Sequence, residues 1–149
     1  MNNLEIFKDK ILIPKCLGSG RLADLKTSGI IWPGVQEFPI KKRKSKKIFV
    51  AAYDLKGVLN LGEIYTGDLE KYCLFEDQVK SFIEEYPNLL TIKGSTCFLV
   101  NFGGYFKIIK SLQPRKGSID LRVDELDLRM RMIGVPNFVY CRFIFPQSI

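Results

Sequence analysis

Few side chains in this chain could do chemistry. Histidine is absent, which removes the commonest general base, the usual partner of a nucleophilic serine or cysteine, and the most frequent transition-metal ligand. Mechanisms built on Ser-His or Cys-His pairs are therefore excluded. The four cysteines, Cys16, Cys73, Cys97 and Cys141, are scattered, with no pair at the spacing of a zinc knuckle. They read as reduced, small apolar side chains. What remains is a set of carboxylates, one dense run of cations and a lone tryptophan.

Among the carboxylates Asp54 has the most suggestive setting. It closes the apolar stretch "IFVAAYD" and is followed by "LKGVLNLGEIY", an acid at the end of a strand that turns back into a second strand. RNase H-like nucleases hold a first metal-binding acid in such a place, and the resemblance implies magnesium gripped with Glu63, Asp68 or Asp120 and used to activate water. Asp54 also stands first in Asp54-Leu55-Lys56-Gly57, where a type I turn favours Asp at one end and Gly at the other. Both readings stay open from sequence. Asp120, Asp124, Glu125 and Asp127 form a second acidic group, equally readable as solvated charges. "CLGSGRL" at 16–22 lacks the Gly-Lys-Ser/Thr ending of a phosphate-binding loop. No metal site or cofactor is assigned.

The cations are more informative. The chain carries a net charge of +7 from 23 basic and 16 acidic residues. Lys41, Lys42, Arg43, Lys44, Lys46 and Lys47 sit within "KKRKSKK"; setting those six aside leaves 17 basic residues against 16 acidic ones, a net of +1. The basicity is one local feature on an almost neutral body, unlike a protein that grips a duplex over a broad face. The run holds no Asn or Gln, and only Arg43 has the planar fork that reads guanine, so contact with nucleic acid would be tolerant of sequence. Two other roles suit the same residues: a solvated lysine-rich margin that blocks edge pairing of a sheet, and a nuclear import address.

The elements that must position these residues follow from periodicity and turn signals. At 149 residues, 46% of them hydrophobic, the chain has the size and composition of a single globular domain, 1–149. Residues 4–13 read as a strand, 21–26 as a short helical turn, and 30–38 ("IIWPGVQEF") as a strand interrupted by Pro33 and Gly34. Residues 48–53 and 58–65 read as a hairpin through the 54–57 turn, which would put the basic run in a connection between two strands. Phe75, Val79, Phe82, Ile83 and Tyr86 lie on one helical face, with Glu76, Asp77, Lys80, Glu84 and Glu85 outside it, so a helix is expected over about 75–86, ended by Pro87. A shorter turn precedes it at 68–73. Gly103-Gly104 joins strands at 96–102 and 105–110. Residues 137–145, "NFVYCRFIF", read as a central strand buried on both faces. Between 119 and 132 the apolar alternation slips phase at Asp124-Glu125, which favours a bulged strand or tight hairpin over a helix.

Trp32, in "IIWPG", is followed after the basic run by "KIFVAAYD", then "GDLEKY", then the amphipathic helix. In order and rough spacing, residues 29–86 resemble a PWWP domain, a Tudor-like small barrel. The resemblance implies methylated-lysine binding in an aromatic cage, with Trp32 as one wall and Tyr53 as another, and contact with DNA through the nearby basic residues. Ile31, the Ala51-Ala52 pair and Asp54 depart from that family's pattern, which has paired phenylalanines and a glycine at the last three of those positions.

These observations define an α+β chain, mostly antiparallel β, with a strongly bent sheet or small half-barrel and the 75–86 helix packed on it. The expected activity is binding, not catalysis: nucleic acid held electrostatically by Lys41, Lys42, Arg43, Lys44, Lys46 and Lys47. A protein-interaction module or inhibitor docking an acidic protein surface is the first alternative, and a metal-dependent nuclease using Asp54 the second. No stretch has the length of a membrane span or the form of a secretory signal, so no membrane contact is expected. The expected location is intracellular: cytoplasmic, or nuclear in a eukaryotic host.

Overall fold

The computed structural model describes residues 3–14, 20–37, 46–135 and 138–147. It is an α+β structure organised around one large, mostly antiparallel sheet. Its strands are β1 (Leu4–Ile13), β2 (Ile48–Leu55), β4 (Cys73–Leu74), β5 (Ser95–Phe102), β6 (Tyr105–Arg115), β7 (Ser118–Glu125) and β9 (Cys141–Gln147). The spatial order is β1-β2-β9-β5-β6-β7, with β4 beside β5. The path leaves β1 and β7 at its two ends and does not close into a barrel. Only β9 and β4 run parallel to their neighbour β5.

A separate two-stranded ribbon pairs β3 (Val58–Asn60) with β8 (Arg131–Ile133). The α-helices are α1 (Leu61–Ile64) and α2 (Glu76–Glu85). Short 3-10 turns occupy Leu22–Asp24, Pro33–Glu37, Leu69–Tyr72 and Pro87–Leu89. No helix among the described residues is long and apolar enough to cross a membrane.

Both faces of the sheet are covered, which explains the near-continuous apolar strands. On one face Val50, Ala52, Phe98, Val100, Ile109 and Ile144 meet Val79, Phe82 and Ile83 of α2. On the other, Leu55, Cys97, Leu99, Ile108 and Phe143 meet Leu59, Leu61, Ile64, Tyr65 and Met132 from the ribbon and α1. Phe82, Phe98 and Phe143 are fully buried, and each such ring contributes about 1.5–3 kcal/mol of hydrophobic stabilisation. The 137–145 stretch behaves as its composition predicts: β9 is central, between β2 and β5. The helix predicted over about 75–86 is α2. Its first turn differs from the expected solvated face, because Asp77 is buried where Gly20 packs against it.

The hairpin predicted from 48–53 and 58–65 does not form. β2 pairs with β1 on one side and β9 on the other, so neither of its edges is open to β3. The chain instead leaves the sheet at Gly57, whose carbonyl accepts from Gly134 N–H at 2.7 Å, and β3 joins β8. Residues 61–64 are helical, with Glu63 Oε1 accepting from Asn60 N–H at 2.9 Å.

The strand predicted over 30–38 does not form among its described residues, 30–37. Ile31 makes a single bridge to Leu121, and Pro33, which lacks a donor and has the φ of a helix start, opens the 3-10 turn. In 119–132 the phase slip marks the passage from β7, in the large sheet, to β8, in the ribbon. The Gly103-Gly104 hairpin forms as predicted, with φ of 64° and 100° at the two glycines.

Candidate nucleic-acid interface

The basic run joins the Pro33–Glu37 turn to the start of β2, not one strand to another. Lys41, Lys42, Arg43 and Lys44 lie outside the described residues. Lys46 and Lys47 are described and exposed, immediately before Ile48. Both margins of the run are tied to the first turn of α2. On the near side Arg21 donates to the Gln36 carbonyl at 3.4 Å and approaches Glu76 at 3.5 Å. Glu76 also accepts from Leu22 N–H at 3.0 Å. On the far side Gln78 Nε2 donates to the Lys46 carbonyl at 3.5 Å, and Gln78 Oε1 accepts from Phe75 N–H at 2.9 Å. Burial pushes the Glu76 carboxyl up, and the Leu22 N–H and Arg21 work against that shift without cancelling it.

The two described cations of the run are not charge-compensated. Lys10 lies at the same end of the sheet, its N–H donating to Gln147 Oε1 at 2.8 Å. Among the described residues, Lys10, Lys46 and Lys47 have no ion-pair partner. Exposed Asp9 adjoins Lys10, so β1 adds little net charge.

Asp54 is placed elsewhere and does a different job. It is in the body of β2, not in a turn, and stands opposite Arg142 of β9 in register. Arg142 donates from Nε to Oδ1 at 2.6 Å and from Nη2 to Oδ2 at 3.1 Å. Its remaining arm donates to the Leu89 carbonyl at 2.8 Å, and the Phe7 ring lies over the guanidinium at 3.8 Å. Both carboxylate oxygens are thus occupied in a buried, fork-to-fork pair. Among the described residues no group of three or more Cys, Asp or Glu is arranged to hold a metal ion. Glu63 caps α1, Asp68 accepts from Glu70 N–H at 3.1 Å, and Asp120 accepts from the distant Ile30 N–H at 2.7 Å, so each of the acids weighed as a metal partner accepts from a backbone N–H. Asp124 sits between Lys110 at 2.9 Å and Arg122 at 3.0 Å.

Trp32 and Tyr53 are not brought together. Trp32 N–H donates to Leu121 O at 3.0 Å, which fixes it beside β7, whereas Tyr53 is on β2. Four strands, β9, β5, β6 and β7, intervene, a separation of about 24 Å at 4.8 Å per strand. A cage needs its rings within about 6 Å of one cation, so these two cannot share one. Tyr53 instead packs on Phe145, with ring centroids 5.3 Å apart, and Trp32 remains 46% exposed.

Sequence reasoning missed Arg142 and Gln78. Arg142 did leave a signal: it is the one charge in "NFVYCRFIF", and a charge in a buried strand requires a partner. Gln78 left none, because a polar residue in the first turn of an amphipathic helix reads as solvated. Comparison with protein-family models, curated proteins and solved structures returned no match.

Proposed function

We propose that this chain is a binding protein whose partner is nucleic acid, contacted electrostatically and without strong sequence preference through the 41–47 segment. The observation that carries the reading is the charge distribution: six cations in seven residues on a body of net +1. The tethers from Arg21, Glu76 and Gln78 support it, because they hold Gln36 and Lys46, on either side of the run's first cations, against the first turn of α2. The occupied carboxylate of Asp54 removes the support that a metal-dependent nuclease would need. An acidic protein surface is the second reading, favoured by the same near-neutral body. In a eukaryotic host the run would also serve as a nuclear import address.

The test is binding of a labelled oligonucleotide at about 50 and 200 mM salt, using wild type and a variant with all six cations changed to Ser. Three or four phosphate contacts predict a log-log salt slope of about −3, lost in the variant while its thermal unfolding is unchanged. Salt-insensitive binding, or equal affinity in the two proteins, sinks the proposal. Failure of wild type to bind any oligonucleotide leaves the acidic protein surface as the surviving reading.

A further inference from the structure

We propose that the outer edge of β8 takes an extended acidic segment of a partner protein as an added strand, at a site separate from the basic run. That run leads into the start of β2, whereas the ribbon leaves the sheet past the end of β2, at Gly57. Within the ribbon, register fixes which backbone groups face out. Leu59 stands opposite Met132. The flanking bonds run from Gly134 N–H to the Gly57 carbonyl at 2.7 Å and from Leu61 N–H to the Met130 carbonyl at 2.9 Å. In an antiparallel ladder the residues between such pairs turn their N–H and C=O groups outward. Those residues are Val58 and Asn60 on β3, and Arg131 and Ile133 on β8.

The two edges of the ribbon differ. On β3, Asn3 Nδ2 donates to the Val58 carbonyl at 3.3 Å and Glu63 accepts from Asn60 N–H at 2.9 Å. On β8, no hydrogen bond from a described residue reaches the outward groups of Arg131 and Ile133, and both residues are exposed. This edge is held in place, because Met132 is buried and the Leu128 carbonyl accepts from Gly62 N–H at 2.8 Å. The large sheet guards its margins against chance pairing, β1 with two register shifts and β7 with the Ile31 bridge. The side chains of β8 define the guest. Ile133, 59% exposed, faces Val58 in register, an apolar pair that a third strand would cover. Residues 127–133 carry Arg129 and Arg131 against Asp127 alone. Arg129 approaches Asp127 at 3.6 Å, and Arg131 has no ion-pair partner among the described residues. Pairing β8 with a second copy about Met132 would set Arg131 diagonally across from its own counterpart, a like-charge contact. A strand with carboxylates beside the arginines and a β-branched residue beside Ile133 suits both, its main chain supplying affinity and its alternate side chains selectivity.

The experiment titrates the labelled peptide Glu-Thr-Glu-Thr-Val-Thr-Glu-Thr-Glu, its Lys-for-Glu counterpart, and two forms of the acidic peptide N-methylated on alternate residues. The proteins are wild type, Arg129→Ser with Arg131→Ser, and the variant lacking the six cations of the basic run. Saturable binding of the acidic peptide is expected with wild type and with the variant lacking the basic run. The paired arginine changes, at exposed positions, are expected to lose about tenfold or more in affinity with thermal unfolding unchanged. The lysine peptide does not bind. Because a strand turns alternate N–H groups to each neighbour, one set of N-methyl groups abolishes binding and the other spares it. Methylated sets that act alike, or binding lost with the basic run and kept without the two arginines, overturns the inference. So does absence of acidic-peptide binding to wild type; sedimentation with phosphatidylserine vesicles, lost in the arginine variant, would then assign the patch to a lipid surface.

Discussion

Asp54 and Arg142, 88 residues apart in sequence, form a two-pronged ion pair across adjacent central strands, with side chains only 6% and 8% exposed. A pair this deep offsets its desolvation only while both partners and their remaining hydrogen bonds are present. Asp54→Ala leaves the guanidinium buried against the Leu89 carbonyl and the Phe7 ring without a counter-charge. It is expected to cost about 3–5 kcal/mol in urea unfolding, whereas the double change Asp54→Leu with Arg142→Met costs less than the two single changes combined. Additive losses would mean that the two groups do not act as a unit. Phe7→Ala, which opens the pair to water, is expected to cost about 1–2 kcal/mol.

The departure of the chain from the large sheet depends on a close backbone crossing. A Cβ built on Gly134 would fall inside contact distance of the Leu55 carbonyl oxygen, and Gly134 N–H is the donor that holds Gly57. Gly134→Ala must push β8 away from the end of β2. The expected loss is about 1–3 kcal/mol, read as a lower urea midpoint with little change in slope. A variant as stable as wild type would show that the ribbon is free to shift.

Where the fold was legible, a local signal carried it. The 3.6-residue spacing of Val79, Phe82 and Ile83 marks α2, Gly103-Gly104 marks the β5-β6 turn, and the unbroken apolar run marks β9 as central. Asp54 was misplaced for a physical reason. Asp-x-x-Gly is a strong local turn pattern, and it was overridden by a register partner in β9 that no local window contains. The β3-β8 ribbon was hidden in the same way, because Val58–Asn60 looks for its partner beyond residue 130. The positive charge of the candidate site needed only composition, while its tethers at Glu76 and Gln78 depend on tertiary packing of a helix face that is polar by type. The distance between Trp32 and Tyr53 is a matter of strand order, which order along the chain does not encode.

The three described cysteines are free, and their surroundings make them poor nucleophiles. Burial pushes the Cys97 thiol up to about 12. Burial, aided by Glu70 and Asp68, does the same for Cys73, and burial raises Cys141. At pH 8 a thiol of pKa about 12 is ionised in roughly one molecule in ten thousand, and the thiolate is the reactive form. In a Cys16→Ser variant, iodoacetamide at pH 8 is expected to leave all three thiols unmodified over minutes in the native protein and to alkylate all three in denaturant. Rapid native labelling of Cys97 would contradict its burial.

Asp124 sets the acid side of stability for the β6-β7 pair. Burial works to raise its carboxyl, but the hydrogen bonds and charges of Lys110 and Arg122 outweigh that effect, so its folded value lies below the ordinary one. A group depressed in the folded state binds its proton more readily when unfolded, so its contribution is present above the unfolded value of about 3.9. That contribution is lost as pH falls through the folded value. Asp124→Asn removes the linkage. The variant is expected to be less stable than wild type at pH 6 by under about 1 kcal/mol, since the pair is partly solvated. The difference should shrink between about pH 4 and pH 2, as wild type loses what the variant never had. Urea unfolding of both proteins across that range is the measurement. A gap that stays constant from pH 6 to pH 2 would place the stabilisation in packing of the side chain and not in its charge.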